Sequence, residues 1–224
     1  MHDPTRVSRL GFVNCYLVRE DDGLTLIDTM LPRCERAIRS AADRQGAPIV
    51  RIVLTHAHGD HVGSLDALVE ALSGVEVSIS ARDARLLRRD TSLDPGEPQA
   101  KIKGSLPGTK AEPSRTLAPG DRVGSLEVIA ASGHTPGHIA LLDTRDRTLF
   151  CGDAYSTLGG VATAARVHPL FPFLGMATWH RPTALETARA LRALDPARLA
   201  PGHGRVVEGP AAAMDAAIAR AASS

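Results

Sequence analysis

Short apolar runs broken by turn residues dominate the first half of the chain. Residues 12–18 and 24–27 are β-rich stretches separated by Asp21-Asp22-Gly23, the pattern of a hairpin, and 49–54 is a third such run. Between them Pro32 precedes a segment, 34–45, that places Ala37, Ile38 and Ala41 on one face before Gly46, which predicts a helix. A second helix is predicted over 64–72, where Leu65, Leu68, Val69 and Leu72 recur at helical spacing and Gly74 supplies the stop. A strand over 75–80 and a short helix over 82–89 follow. Arg85, Arg88 and Arg89 on that helix read as a solvated face.

The stretch 91–120 carries Pro95, Pro98, Pro107, Pro113 and Pro119 among glycines and polar residues, so it is expected to be a long connection with little regular structure. Such loops are usually functional or disordered. It also holds Lys101, Lys103 and Lys110, all the lysines of the chain, which suit a contact with an anionic group and a solubilising loop equally well. Beyond it, strands are predicted over 122–123, 126–130, 139–143 and 148–151, and helices over 183–194 and 211–222. Two halves that each run from strands to helices predict an α/β chain in which two sheets pack face to face with helices outside.

Composition narrows the class. With 224 residues, 43% hydrophobic and 23% charged, the chain can bury a core, and no apolar run approaches the roughly 18 residues of a membrane span. A net charge of +1 gives no overall field to recruit nucleic acid or an anionic membrane. No basic segment followed by an apolar one opens the sequence, so a cytoplasmic location is expected. Cys15, Cys34 and Cys151 are too widely spaced for a metal knuckle and odd in number, and are expected to be reduced and buried.

The candidate chemistry lies in the histidines. His56-Ala57-His58-Gly59-Asp60-His61 follows an apolar strand directly, where a strand end empties into a loop and sites are commonly built. Strand-like alternation places His56, His58 and Asp60 on one side, with His61 arriving from the turn that follows. That arrangement suits two neighbouring metal ions better than one. Imidazole and carboxylate without thiolate favour zinc or a similar transition metal in an open site over a closed structural one. Three further groups stand at later strand ends beside glycines: His134 in Gly133-His134-Thr135-Pro136-Gly137-His138, Asp153 in Cys151-Gly152-Asp153, and His203 in Pro201-Gly202-His203-Gly204.

The ordered set Thr55-His56-Ala57-His58-Gly59-Asp60-His61, Gly-His-Thr-Pro-Gly-His, Gly-Asp and a late Gly-His-Gly resembles the metallo-β-lactamase-fold hydrolases, notably the glyoxalase II and lactonase branches, from about residue 12 to 209. The resemblance implies one αββα four-layer sandwich over 1–224, two mixed β-sheets flanked by helices, with a dinuclear zinc site at one edge and iron or manganese as the alternative metals. It implies His56, His58 and His134 on one ion, Asp60, His61 and His203 on the other, and Asp153 bridging. His138 is not required as a ligand and is expected to support the site from behind. His2, His168 and His180 fall outside every motif.

The expected chemistry is hydrolysis of a small ester, lactone or thioester by hydroxide drawn from a water shared by two ions. Asp60 would orient that hydroxide and shuttle its proton, and Tyr155 would donate its hydroxyl to the developing oxyanion. The segment 154–180, with Val161, Phe171, Phe173, Met176 and Trp179 among its bulky apolar residues, would line an apolar substrate pocket, form a homodimer contact or simply cover the core. Only 21 residues follow His203, which is short for the glutathione-binding helices of glyoxalase II. The absence of an export signal disfavours a β-lactam role, and the absence of a basic arm disfavours a nuclease. A mononuclear-iron persulfide dioxygenase-like oxidoreductase stays open as an alternative, as does a metal-binding module without catalysis; metal identity and metal-dependent turnover separate them.

Overall fold

The Asp21-Asp22 turn joins β2 (Val13–Glu20) to β3 (Gly23–Ile27) as the antiparallel hairpin read from the sequence, with Glu20 opposite Gly23. The computed structural model describes residues 4–223; His2 and the start of the N-terminal segment lie outside the described residues. Before the hairpin, β1 (Thr5–Arg9) adds an antiparallel edge to β2. After it the chain crosses through α1 (Glu35–Gln45) to β4 (Ile49–Val53), then through the single turn α2 (Gly59–Val62) and α3 (Leu65–Ala71) to β5 (Glu76–Ser80). Parallel pairing of β3 with β4 and of β4 with β5 follows from these crossovers, because a parallel partner cannot be reached by a tight turn. Gly46 closes α1 in the left-handed conformation, φ 64°, with its N–H donated to the Asp43 carbonyl.

Helix α4 (Ala81–Leu87) leads into the long connection, which has little regular structure, as expected, apart from one short strand. Its residues Arg115–Leu117 form β6, which pairs in parallel with β5 and completes a six-stranded sheet in the order β1-β2-β3-β4-β5-β6. Three residues just beyond Pro113 give no periodicity to read.

The second sheet opens with the meander β7 (Arg122–Val123), β8 (Leu126–Ala130), β9 (Ile139–Asp143) and β10 (Thr148–Gly152), all antiparallel. The segment 154–180 holds the two-stranded ribbon of β11 (Tyr155–Ser156) and β12 (Ala162–Thr163), followed by the short helix α5 (Pro172–Ala177). Helix α6 (Arg181–Ala193) then carries the chain to β13 (Arg198–Pro201), parallel to β10, and β14 (Val207–Glu208) and α7 (Ala211–Ala222) finish it. The order of this sheet is β14-β13-β10-β9-β8-β7.

Alternation along the strands sorts side chains into three apolar layers. Cys15, Leu17, Leu26 and Ile52 pack outward against Ile38, Leu65, Leu68 and Leu86 of the first helices. Tyr16, Val18, Ile27 and Val53 point the other way and meet Val128, Leu141 and Phe150 of the second sheet. Ala140, Leu142, Leu149 and Leu199 face Ala188, Leu191, Met214 and Ala217 of α6 and α7. The result is the αββα order, two mixed sheets with helices on both outer faces. Each fully buried Leu, Ile or Phe in these layers contributes about 1.5–3 kcal/mol. All three cysteines are free and buried, as read from their spacing.

The topology sets the position of the site. Strands β3 and β4 in one sheet, and β10 and β13 in the other, are parallel pairs whose carboxyl ends open at one edge of the sandwich, beside the turn between β8 and β9.

Candidate metal centre

The motif His56–His61 begins three residues after β4 ends, and its second half does not continue as a strand. His61 and Val62 donate their backbone N–H groups to the His58 carbonyl at 2.9 and 3.0 Å, so the chain turns helical at Gly59. Asp60 therefore leaves the side shared by His56 and His58, contrary to the alternation read from the sequence. The structure forms three groups whose ligand atoms lie within 4.8 Å of one another: His56, His58 and His134; His56, His61 and Asp153; and Asp60, His61 and His203. All seven sequence-predicted ligand residues thus converge. Asp153 lies between the groups, with Oδ1 3.3 Å from His61 Nε2 and Oδ2 3.3 Å from both His134 Nε2 and His203 Nε2.

What each ring does with its outward nitrogen decides what faces inward. Thr55 Oγ1 donates its proton to Asp28 Oδ2 at 2.8 Å, so it can only accept from His56 Nδ1 at 3.1 Å. Thr178 Oγ1 likewise donates to the Leu174 carbonyl and accepts from His134 Nδ1 at 3.0 Å. His58 Nε2 donates to the Lys103 carbonyl, His61 Nδ1 to Asp28 Oδ2, and His203 Nδ1 to the Phe12 carbonyl. Each outward N–H is thus fixed by an acceptor, the arrangement that orients imidazoles toward a metal. Two consequences follow on the inner side. His56 Nε2 is buried without a partner, and His58 Nδ1 faces His134 Nε2 at 3.0 Å with no proton left to place between them. Opposed lone pairs at that distance are repulsive unless a cation sits among them, so the residues present fit a metal.

Electrostatics agrees. Burial, reinforced by neighbouring imidazoles, holds His56 far below the ordinary histidine range, and burial with His134 takes His58 down to about 3, so both are neutral as ligands must be. Burial also disfavours charge on His203, yet Asp153 and Asp60 outweigh it and lift that ring to about 9. His61 is raised for the same reason by Asp153, Asp28 and Asp60. The half of the centre that contains the carboxylates attracts positive charge, and protons supply it when no cation does.

Sequence reading missed the residues that support this centre. Asp28, at the end of β3, adopts φ 60° and accepts from Thr55 N, Thr55 Oγ1 and His61 Nδ1, so one carboxylate ties β3 to two ligands. Asp83, fully buried on α4, accepts from Ala57 N at 3.1 Å, Thr135 Oγ1 at 2.7 Å and Gly137 N at 2.7 Å. It joins the loop bearing His56 and His58 to the loop bearing His134, and burial raises its carboxyl to about 6. Its position on the apolar face beside Ala84, Leu86 and Leu87 was the available signal. His138 stands behind the ligands as expected, with Nε2 accepting the backbone N–H of Asp153 at 3.0 Å. Gly202 is required by crowding, since a Cβ there would meet His61 Cε1 at 2.5 Å and Asp153 Oδ1 at 2.6 Å.

Tyr155 is not where an oxyanion donor must be. Its ring is fully buried among the helix-side residues of the second sheet, and its hydroxyl donates to the Ala188 carbonyl at 2.7 Å. The strand β11 has turned it away from Asp153, so the expected catalytic role is withdrawn.

The chamber in front of the ligands has a volume of about 70 Å³ and is bounded by His58, Asp60, His134, Asp153 and His203. Phe171, Phe173, Leu174 and Ala177, on or beside α5, cover it, with the Phe171 ring 4.9 Å from that of His203. The segment 154–180 therefore contributes to the pocket as well as to the core.

Three outcomes are expected. Tyr155→Phe will leave turnover unchanged and lower stability by about 1 kcal/mol in urea unfolding, the loss of one buried hydrogen bond. Asp83→Ala will strand three buried donors, costing about 2–5 kcal/mol, and weaken metal binding about 10–100-fold in a chelator competition. Metal added to the metal-free protein at pH 7 will release the protons of His61 and His203 into an indicator dye, and apparent affinity will fall about tenfold for each pH unit below about 9 through His203 alone.

Comparison with known proteins agrees with this architecture. The chain is 45% identical over 210 residues to YobT of Bacillus subtilis (strain 168), covering 93% of this chain and 90% of that protein. It is 28% identical to the probable metallo-hydrolase YflN of the same organism, over 85% and 80% of the two chains. A hydroxyacylglutathione hydrolase of Gloeobacter violaceus is 33% identical, and there the match spans 62% of this chain but only 48% of that enzyme. Among solved structures, TTHA1623 in a di-iron-bound form superposes with a TM-score of 0.66 at 28% identity, covering 93% of this chain and 96% of that one. The DIM-1 metallo-beta-lactamase shares the fold, with a TM-score of 0.70 at 17% identity over 98% and 92% of the chains. Residues 8–203 match the family model of the metallo-beta-lactamase superfamily, and the chain belongs to that superfamily.

Proposed function

We propose that the protein is a dinuclear, zinc-dependent hydrolase that cleaves a small ester, lactone or thioester. The observation that carries this reading is the inward convergence of five imidazoles and two carboxylates whose outward N–H groups are all already bonded. His56, His58 and His134 would hold one ion and Asp60, His61 and His203 the other, with Asp153 between them. A mononuclear iron centre needs only three of these groups and would leave the remaining inward nitrogens and carboxylates without a cation, which favours the hydrolase over the dioxygenase reading. The di-iron form of TTHA1623 makes iron the first alternative to zinc.

Bound metal ions would lower the pKa of water toward neutrality and polarise a carbonyl oxygen. The chain supplies the rest. Asp60 is the chamber carboxylate with solvent access, its side chain 34% exposed against 5% for Asp153. It is placed to orient the attacking water and to take its proton, and its Oδ2 lies 3.3 Å from His203 Nε2, the ring with which it would share the second ion. Phe171 and Leu174 exclude bulk water from the chamber, which strengthens every electrostatic interaction within it.

Protein purified without added metal is expected to carry two zinc ions per chain and to hydrolyse simple esters, lactones or thioesters in a chelator-sensitive way. Asp60→Asn should lower kcat by about 100-fold or more with the metal retained. One iron per chain with oxygen uptake, or turnover indifferent to chelators, would overturn the reading.

A further inference from the structure

The chamber, at about 70 Å³, is far smaller than the groove beside it and takes the reacting group of a substrate rather than the whole of it. It shares Asp60, Gly104, Ser105, Phe173 and Ala177 with a larger outer groove of about 600 Å³. The remaining walls of that groove are Leu31, Pro32, Gly59, Pro107 and Met176. Phe173 and Met176 are held largely in water at its rim, 68% and 58% exposed, although they belong to a chain with only four phenylalanines and four methionines. Large apolar groups fixed in solvent beside a chemically equipped chamber are what an apolar ligand would cover.

The charges in and around the groove are equally specific. No lysine or arginine lines the chamber or the groove, and the charged side chain at their junction is the carboxylate of Asp60. The lysines of the long connection do not fill that gap. Lys103 lends its carbonyl to His58 while its side chain is exposed outside both cavities, and Lys101 and Lys110 are exposed and absent from the lining. The arginines of α4 are engaged elsewhere, Arg82 by Glu97 and Arg85 by Asp90 and Asp94. A carboxylate or phosphate in the groove would be desolvated there without a lysine or arginine partner and would face Asp60, while the His203 ring inside the chamber is already engaged at 3.3 Å by Asp60 and Asp153.

The walls are also tied together in advance. Thr178, just after α5, is hydrogen-bonded to His134 on one side and to Leu174 on the other. The indole N–H of Trp179 donates to the Ala100 carbonyl at 2.8 Å, linking the α5 side to the connection that supplies Gly104, Ser105 and Pro107. A groove tethered on both sides costs little ordering when a ligand enters.

We propose that the enzyme acts on an uncharged substrate whose apolar arm, an acyl chain or an aryl group, lies in the groove between α5 and residues 104–107 while its carbonyl enters the chamber. This deepens the carbonyl-hydrolase reading and rests on it for the chemistry, but the binding preference can be read separately.

The test uses the full chain and a matched pair of fluorescent probes, neutral N-phenyl-1-naphthylamine and its sulfonated analogue 8-anilinonaphthalene-1-sulfonate. With metal-free protein the neutral probe is expected to bind saturably and at least about tenfold tighter than the anion. Phe173→Lys should weaken the neutral probe and narrow or reverse the preference, whereas Lys110→Ala, at an exposed lysine outside both cavities, should change neither. With metal-loaded protein, kcat/KM for neutral p-nitrophenyl esters should rise with acyl length and exceed that for a monoanionic hemiester of similar size. Tighter binding of the anion, neutral-probe binding indifferent to Phe173→Lys, or a dimer that Phe173→Lys dissociates without altering probe binding would each overturn the proposal. Probe binding as expected without hydrolysis of any carbonyl compound would instead support the groove and sink the carbonyl chemistry.

Discussion

Five imidazole rings must present their inner nitrogens to one small volume, and no side chain holds such an orientation by itself. The constraint is met from behind, by hydrogen bonds to each outward N–H. Asp28 serves His61 directly and His56 through Thr55, Thr178 serves His134, and carbonyls of Lys103 and Phe12 serve His58 and His203. These supports come from strand ends of the first sheet, from the long connection and from the segment after α5, so the centre is only as well formed as the sandwich that brings them to one edge. The cost of gathering unpaired nitrogens and carboxylates in a buried place is an instability that a cation relieves, and the fold is arranged so that only a cation relieves it fully.

The division of labour between backbone and side chain explains much of what the sequence shows and hides. The ligands were legible because metal binding demands particular residue types, and seven of them stand in short glycine-flanked motifs. Most strands of both sheets were legible as apolar runs set between turn residues, whereas β1, with Thr5, Arg6, Ser8 and Arg9 around one Val7, has no such run. Tyr155 was misread because two residues of separation from Asp153 say nothing about direction once the chain has turned into β11. Asp60 was placed on the wrong side because periodicity of two was extended past Gly59, where backbone hydrogen bonds to His58 impose a helical turn instead.

Other parts left little trace for a physical reason. Strands β6 and β13 are three and four residues long and lie beside prolines, so pairing with a neighbour, not intrinsic pattern, creates them. Asp28 reads as an ordinary turn residue, and its importance arises only when Thr55 and His61 arrive from the next strand. Asp83 was legible in part, as an acid on an apolar helix face, but the two loops it joins are 78 residues apart, at Ala57 and Thr135, and nothing local announces that they meet.

Two of the five histidines lean on peptide carbonyls, and a carbonyl is present whatever side chain its residue bears. The residue at position 103 can therefore change freely among descendants of this sequence while His58 keeps its anchor, provided the local backbone path survives. Gly104 marks the limit of that freedom, because at φ 88° a Cβ would fall 2.2 Å from His58 Nε2. Diversification of the groove is thus channelled: side chains on its walls can be exchanged one at a time, but insertions or deletions next to that glycine would shift an imidazole and disturb the candidate metal centre before they reshaped the groove.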